Sequence, residues 1–338
     1  MKEVKEDLHM KAKITAALMS AALALSPIAA LAEGAIPDHR GTSMAGIKIG
    51  TAQLNSTVKS YADLFKKSGD RYGVDPNLLA AICMQESSGR NLSYRDDGSE
   101  YPAWGIMQIE NSNEKIFAKF GLDTTGVEWT LGDRLDPEKS VAFAAHLISK
   151  ALIRYDCDYM KMVQAYNFGE PTLNSIIEAK GDDWLGERKN AKDYVEEWPY
   201  DSYGDAEYIE HVMQYYHNDI DYIGAKVRVD GKLVDFEDQF PIIEDGRTLI
   251  PVRAVSEILG ADVEWNGDWY QAEIEMNGHG IIVPLYSDIA YIDGAEYDLD
   301  VPAQLINDRT MVPLRFIAEA LNVDIDWDGE TRTVLIEK

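Results

Sequence analysis

Asp75-Pro76-Asn77-Leu78-Leu79-Ala80-Ala81-Ile82-Cys83-Met84-Gln85-Glu86-Ser87-Ser88-Gly89 decides how the first half of this chain reads. Asp75-Pro76 is an N-cap followed by proline at the first helical position. Leu78 to Met84 then run apolar without interruption, so this helix lacks a wet face and belongs inside a core. A carboxylate, Glu86, follows at the helix end. Burial there would disfavour the ionised form, raise the pKa and keep the acid protonated near neutrality. A neutral carboxylic acid can protonate a glycosidic oxygen. Taken alone, a solvated acid at a helix end is the simpler reading.

The surrounding text is helical from Asn55 to about Ile220. Val58, Tyr61, Leu64, Phe65 and Tyr72 recur at helical spacing. Asp136-Pro137 repeats the capping device before Val141 to Tyr155. Asp205 precedes a stripe of Tyr208, Ile209, Val212, Met213 and Tyr216. Two more short motifs follow Glu86-Ser87: Trp104-Gly105-Ile106-Met107-Gln108-Ile109, then Ala165-Tyr166-Asn167-Phe168-Gly169. Singly, they read as a turn with an amide, and as a core tyrosine beside an Asn cap. His146, His211 and His217 show neither metal spacing nor a nucleophilic triad.

In this order the motifs resemble the soluble lytic transglycosylase (SLT) and goose-type lysozyme family, over about residues 55–220. The resemblance implies a lysozyme-like α fold with a groove for glycan strands of alternating GlcNAc and MurNAc. It implies Glu86 as catalytic acid/base and Ser87 as support near the bound sugar or peptide. Gly105, Met107 and Gln108 would line the groove floor. Tyr166 and Asn167 would meet sugar and Glu86, and Tyr208 would lie near Glu86. Phe168 stands where the family usually has Ala, and Ile106 where Leu is common.

A lytic transglycosylase needs one carboxylate. The acid first protonates the leaving oxygen, then as carboxylate takes the proton of the MurNAc C6 hydroxyl. That hydroxyl attacks C1 of the same sugar, giving a 1,6-anhydro product, and an internal nucleophile has a high effective concentration. Retaining or inverting glycosidases use two carboxylates. Asp97, with Asp96 and Glu100 beside it, is the candidate second one and would make the protein a hydrolytic N-acetylmuramidase. An acidic turn around Asp97-Gly98 is the plain alternative. A non-catalytic glycan-binding wall protein is the third reading, against which the retained Glu86 and its companion motifs stand.

Beyond Lys226 the text changes to short alternating strands with turn signals. Gly246-Arg247-Thr248-Leu249-Ile250-Pro251-Val252-Arg253 returns as Asp308-Arg309-Thr310-Met311-Val312-Pro313-Leu314-Arg315, 62 residues on. Each copy leads to a helix-like run and then to Trp265 or Trp327. The doubling predicts one strand–helix–hairpin unit used twice. It resembles the copper amine oxidase N-terminal-like stalk domain of exported Gram-positive proteins, over 226–338. That resemblance implies a non-catalytic α+β domain. Copper is not expected, since His279 stands alone in this half. Asp262, Glu264, Asn266, Gly267 and Glu273 imitate a calcium loop, but EF-hand chemistry needs flanking helices. A β-hairpin through Asn266-Gly267, and another through Asp328-Gly329, is the expected structure, with Trp265 and Trp327 on buried strand faces. Wall-polymer binding, spacing, or docking of a protein partner remain open for this domain.

The N-terminal text carries Lys11 and Lys13, an apolar run Ile14 to Ala32 and an Ala30-Leu31-Ala32 end, which predicts a cleaved signal peptide over 1–32. The expected organisation is multidomain: signal peptide 1–32, linker 33–54, an all-α lysozyme-like catalytic domain 55–225, and an α+β domain of two repeats 226–338. The expected location is secreted, extracellular or cell-wall associated, with no membrane contact once the leader is cleaved. The formal charge of −27, from 32 Lys+Arg against 59 Asp+Glu, excludes the basic footprint of a nucleic-acid binder. The 24 acidic and 9 basic side chains of 226–338, a net −15, speak against simple attraction to an anionic polymer. No cofactor and no metal are expected, and the partner is the peptidoglycan glycan strand. Cys83 and Cys157, the only cysteines, read either as a bridge between two elements of the site or as two buried thiols.

Overall fold

The computed structural model describes residues 40–91, 93–94, 102–196 and 203–337. The leader at 1–32, residues 33–39 of the proposed linker, and Asp96, Asp97 and Glu100 lie outside these residues.

The first domain is helical: α1 Ser56–Lys59, α2 Ala62–Tyr72, α3 Pro76–Ser87, α4 Glu114–Thr125, α5 Pro137–Arg154, α6 Tyr159–Phe168, α7 Glu170–Lys180, α8 Trp184–Glu187 and α9 Tyr208–Met213. Helix α3 sits at its centre, with every residue from Pro76 to Cys83 buried. The Asp75 side chain caps α3 through the Asn77 N–H at 2.8 Å, and Asp136 caps α5 likewise. Both aspartates precede proline, which needs no partner at that position. The base of α3 is fastened by distant residues. Tyr216 donates to Asp75 Oδ2 at 2.5 Å, and the Asn77 amide exchanges two 2.9 Å hydrogen bonds with the Ile220 backbone.

This domain is not wholly α. Strands β1 Ser93–Tyr94, β2 Ala103–Trp104 and β3 Ile109–Glu110 form a small antiparallel sheet. Strands of two residues leave no alternation in a sequence, so the pattern could not announce them. Cys83 and Cys157 are both buried and are not joined by a disulfide.

The second domain is β-rich. β8 Asp262–Asn266, β9 Gln271–Met276, β10 His279–Pro284, β11 Ile289–Ile292 and β12 Ala295–Asp298 form a meander with β8 and β12 at its edges. β6 Ile242–Glu244, β7 Arg247–Pro251, β13 Gln304–Ile306 and β14 Arg309–Pro313 form a second sheet. Its two inner strands, β7 and β14, are the doubled Arg-Thr-x-x-Pro segments, paired antiparallel with Val312 opposite Ile250. Each leads into a short helix: α10 Val252–Ile258 after β7, and α11 Leu314–Leu321 after β14. A third sheet joins β4 Lys226–Val229, β5 Lys232–Leu233, β15 Asp324–Asp328 and β16 Thr333–Glu337, with β16 parallel to β4.

Asp262–Asn266 is thus a hairpin strand, and Asn266 donates to Glu273 at 2.8 Å across it, so these residues are no calcium loop. Trp265 is 44% exposed rather than facing the core. Val263 and Trp265 share one face of this strand, but Val263 is buried in the core while Trp265, two residues on, stands over an open groove.

The two domains touch. Lys150 pairs with Asp235 at 2.6 Å and Arg228 with Asp156 at 2.5 Å. The Phe240 N–H donates to the Arg71 carbonyl at 2.8 Å, and Ile153 packs on the β-domain core.

Candidate active site

Glu86 stands in the last turn of α3, where helix carbonyls point outward and the dipole disfavours an anion. Its side chain is half-buried, with dense protein around the carboxyl. Burial pushes its pKa up from 4.5 to about 7. The Tyr208 hydroxyl works the other way, and the Glu110 and Asp205 carboxylates push it further up. Tyr208 donates to Glu86 Oε1 from α9, across 122 residues of sequence, and is itself buried. Its own hydroxyl is held far above the ordinary phenol range, first by burial and then by the Glu86 charge, so it stays a donor.

The other motif residues build the frame around this pair. Ser87 is buried, and its Oγ donates to the Ile106 carbonyl at 2.7 Å, tying the end of α3 to the β2–β3 turn. Gly105 in that turn has φ +79°, and a Cβ there would lie 2.0 Å from the Arg134 carbonyl, so only glycine fits. Met107 is fully buried, and its carbonyl accepts the Tyr166 hydroxyl at 2.7 Å. Gln108, at φ +50°, folds its Nε2 back onto the Gly105 carbonyl at 2.8 Å.

Asn167 reaches the other wall. Its Oδ1 accepts the Asp205 N–H at 2.6 Å, while Gln164 donates to the Asp205 carbonyl at 2.9 Å. Helix α6 therefore holds the Gly105–Gln108 turn through Tyr166 and the Gly204–Asp205 turn through Asn167. The second turn opens α9, since Asp205 Oδ1 accepts the Glu207 N–H at 2.9 Å. Glu86, Ser87, Met107, Tyr166 and Tyr208 meet here; Asn167 acts one step back, through Asp205.

Three contributors carried no sequence motif. Arg134 is buried, donates to the Ile109 carbonyl at 2.6 Å and to Asn111 Oδ1 at 2.8 Å, and lies over the Trp104 ring. It props the β2–β3 turn from beneath. His211 Nδ1 lies 2.6 Å from Asp205 Oδ2. Glu110, exposed at the end of β3, is the third. The Gly204-Asp205 pair before a helical stripe was a readable signal for the turn; nothing local marked Arg134.

A helical domain built round a buried helix that ends in a tyrosine-held acid is lysozyme-like. Residues 63–184 match the transglycosylase SLT domain, and residues 228–336 match the copper amine oxidase N-terminal domain, so the chain carries the two in that order. The bifunctional muramidase/DL-endopeptidase CwlT of Bacillus subtilis is 28% identical over 171 residues, 49% of this chain and 43% of that protein. The peptidoglycan transglycosylase gp16 of Escherichia phage T7 is 33% identical over 125 residues, 36% of this chain and 9% of that one. Protein IpgF of Shigella sonnei is 30% identical over 108 residues, 32% of this chain and 66% of that one. This chain thus spans less than half the length of the first two relatives.

The second family's name mentions copper, and the residues present do not fit it. His279 is exposed, lies 2.8 Å from Asp293 Oδ2, and has no second histidine in its domain.

Proposed function

We propose that this chain is an exported peptidoglycan-cleaving enzyme, a lytic transglycosylase that cuts the MurNAc–GlcNAc β-1,4 bond with formation of 1,6-anhydroMurNAc. The observation that carries the reading is Glu86 with its pKa near 7, held by Tyr208 at the end of a buried helix. At neutral pH a substantial fraction of this acid is protonated and ready to donate to the leaving oxygen. Tyr208 donates to Oε1 and so leaves Oε2 to carry and deliver the proton. Once ionised, the same carboxylate takes the C6 hydroxyl proton. Gln108 and the Met107 backbone line the floor, while Asn167 and Ser87 hold the walls in register.

Hydrolytic muramidase activity is the second reading. It is favoured by the CwlT relative and by the charges of Glu110 and Asp205, which reach Glu86. Asp205 already caps α9 and pairs with His211, which leaves Glu110 as the freer group to position a water. The organisation we adopt is a leader at 1–32, a catalytic domain at 55–225 and a stalk domain at 226–338 grown from one strand–helix–hairpin unit used twice. Mass spectrometry of muropeptide products tests the chemistry. A product one water lighter than the reducing-end form is expected, and reducing ends alone would establish the hydrolase. Glu86→Gln should abolish clearing of a peptidoglycan-loaded gel; persistent clearing would remove Glu86 from the mechanism.

A further inference from the structure

The β-rich domain holds a groove of about 940 Å³ that the catalytic reading does not use. One wall is β8, with Trp265, and helix α10, with Ile258. The β13–β14 hairpin, with Leu305 in β13, and the 235–238 loop complete the lining. Trp265, Ile258 and Leu305 are 44%, 38% and 43% exposed, an unusual concentration of apolar surface on so acidic a domain.

The rim is strongly acidic. Arg253 and Arg309 are already engaged, Arg253 by Glu257 at 3.2 Å and by the Val263 carbonyl of β8 at 2.6 Å, and Arg309 by Asp238 at 2.5 Å. Glu237, Glu264 and Asp308 also line the groove, Glu264 on the face of β8 opposite Trp265, and their carboxylates meet no cation among the described residues. A second copy of this chain, at −27, would bring more negative charge to the rim. A neutral glycan would offer these carboxylates no cation. Beside them runs β8, the outermost strand of its sheet; Arg253 occupies the Val263 carbonyl, and the outer edge faces no strand partner among the described residues. An edge strand beside an apolar floor suits an extended polypeptide, which can pair along the backbone and drop alternate side chains into the groove.

We propose that this groove docks an extended, lysine- or arginine-bearing apolar segment of a partner protein, with the apolar side chains against Trp265, Ile258 and Leu305 and the cations on Glu237, Glu264 and Asp308. The indole face of Trp265 adds a site for a cation as well as for an aliphatic chain. The stalk domain is then a recruiting module: it fixes where the enzyme acts by what it holds, without touching glycan.

The test uses the full chain and a synthetic peptide of about eight residues alternating lysine with valine or leucine. Binding is followed by fluorescence anisotropy and calorimetry at two salt concentrations. Saturable binding that weakens with salt is expected, together with roughly tenfold weaker binding in Glu237→Lys/Glu264→Lys. Peptidoglycan cleavage by that variant should be unchanged, which separates this inference from the catalytic one. A glutamate-for-lysine peptide should not bind. In the unmodified chain, peptide should slow amide exchange across 262–266, a readout independent of any variant's folding. Absence of saturable binding, binding indifferent to the two charge reversals, or protection elsewhere than this groove would each overturn the proposal, as would binding of a chito-oligosaccharide at 262–266 in place of the peptide.

Discussion

Replacing Glu86 with Gln puts a size on the burial of this carboxyl. The side chain keeps its shape and loses its charge, so what changes is the cost of ionising at that point. The pKa rises from 4.5 to about 7 because burial disfavours the carboxylate more than the Tyr208 hydrogen bond favours it. Each tenfold in proton affinity is about 1.4 kcal/mol, so the ionised form costs the fold about 3 kcal/mol. Partial solvent access to the side chain makes this an upper figure. The folded chain holds the proton more tightly than the unfolded one. Stability from this group is therefore full below 4.5 and is lost as pH climbs through about 7. Glutamine does not titrate. The variant should melt level with the parent at acid pH and pull ahead between pH 4.5 and 7. At about 2–4 °C per kcal/mol for a domain of this size, the lead above pH 7 is roughly 5–10 °C. Calorimetry across pH reads the curve, and the same preparation should clear no peptidoglycan. A gain that ignores pH, or a variant less stable than its parent at alkaline pH, would refute a desolvated carboxyl at this place.

Three further outcomes follow from the frame. Tyr208→Phe removes the donor that favours the Glu86 carboxylate, so the alkaline limb of the activity profile should move upward from about 7 while the rate falls roughly tenfold. Gly204→Ala forces a side chain at φ +57° whose Cβ would stand 2.6 Å from Asn167 Oδ1. It should cost about 1–3 kcal/mol in urea denaturation and weaken cleavage through displaced Tyr208. Arg134→Met strips the buried carbonyl of Ile109 and the amide of Asn111 of their donor; a loss of about 2–4 kcal/mol and a raised KM should be measured together.

The legible parts of this molecule are those that local chemistry specifies. Asp-Pro pairs announced α3 and α5 because cap and proline act within one turn. The apolar run Leu78 to Met84 announced a buried helix because no polar face interrupts it. What stayed hidden depends on partners far along the chain. The family resemblance puts Tyr208 near Glu86, but nothing in its own stretch of sequence does, and the guanidinium under the Gly105 turn comes from Arg134. Neither sequence neighbourhood differs from that of an ordinary core residue. The Ser87 hydroxyl illustrates the same limit: the motif places it beside the acid, yet only the fold shows it spent on the Ile106 carbonyl. Trp265 is a fourth case, since alternation puts it on the same face as buried Val263 but does not say where along the strand the core ends.

Tyr216 and Ile220 look like the fraying end of the helical text, a place where one would cut the chain to isolate the catalytic half. Yet the Tyr216 hydroxyl closes over the Asp75 carboxylate, and the Ile220 backbone completes the Asn77 amide, both at the foot of the rod whose far end is Glu86. Burial already raises the Asp75 pKa, so its anion depends on the Tyr216 hydroxyl and on the backbone and amide N–H groups of Asn77 that Ile220 holds in place. A protein severed after Met213 would keep every motif residue and lose the footing under them. It would look complete in an alignment and stand about 18 Å of helix away from its missing foundation stones. The segment that resembles a tether is masonry, and the acid at the top of the column depends on it.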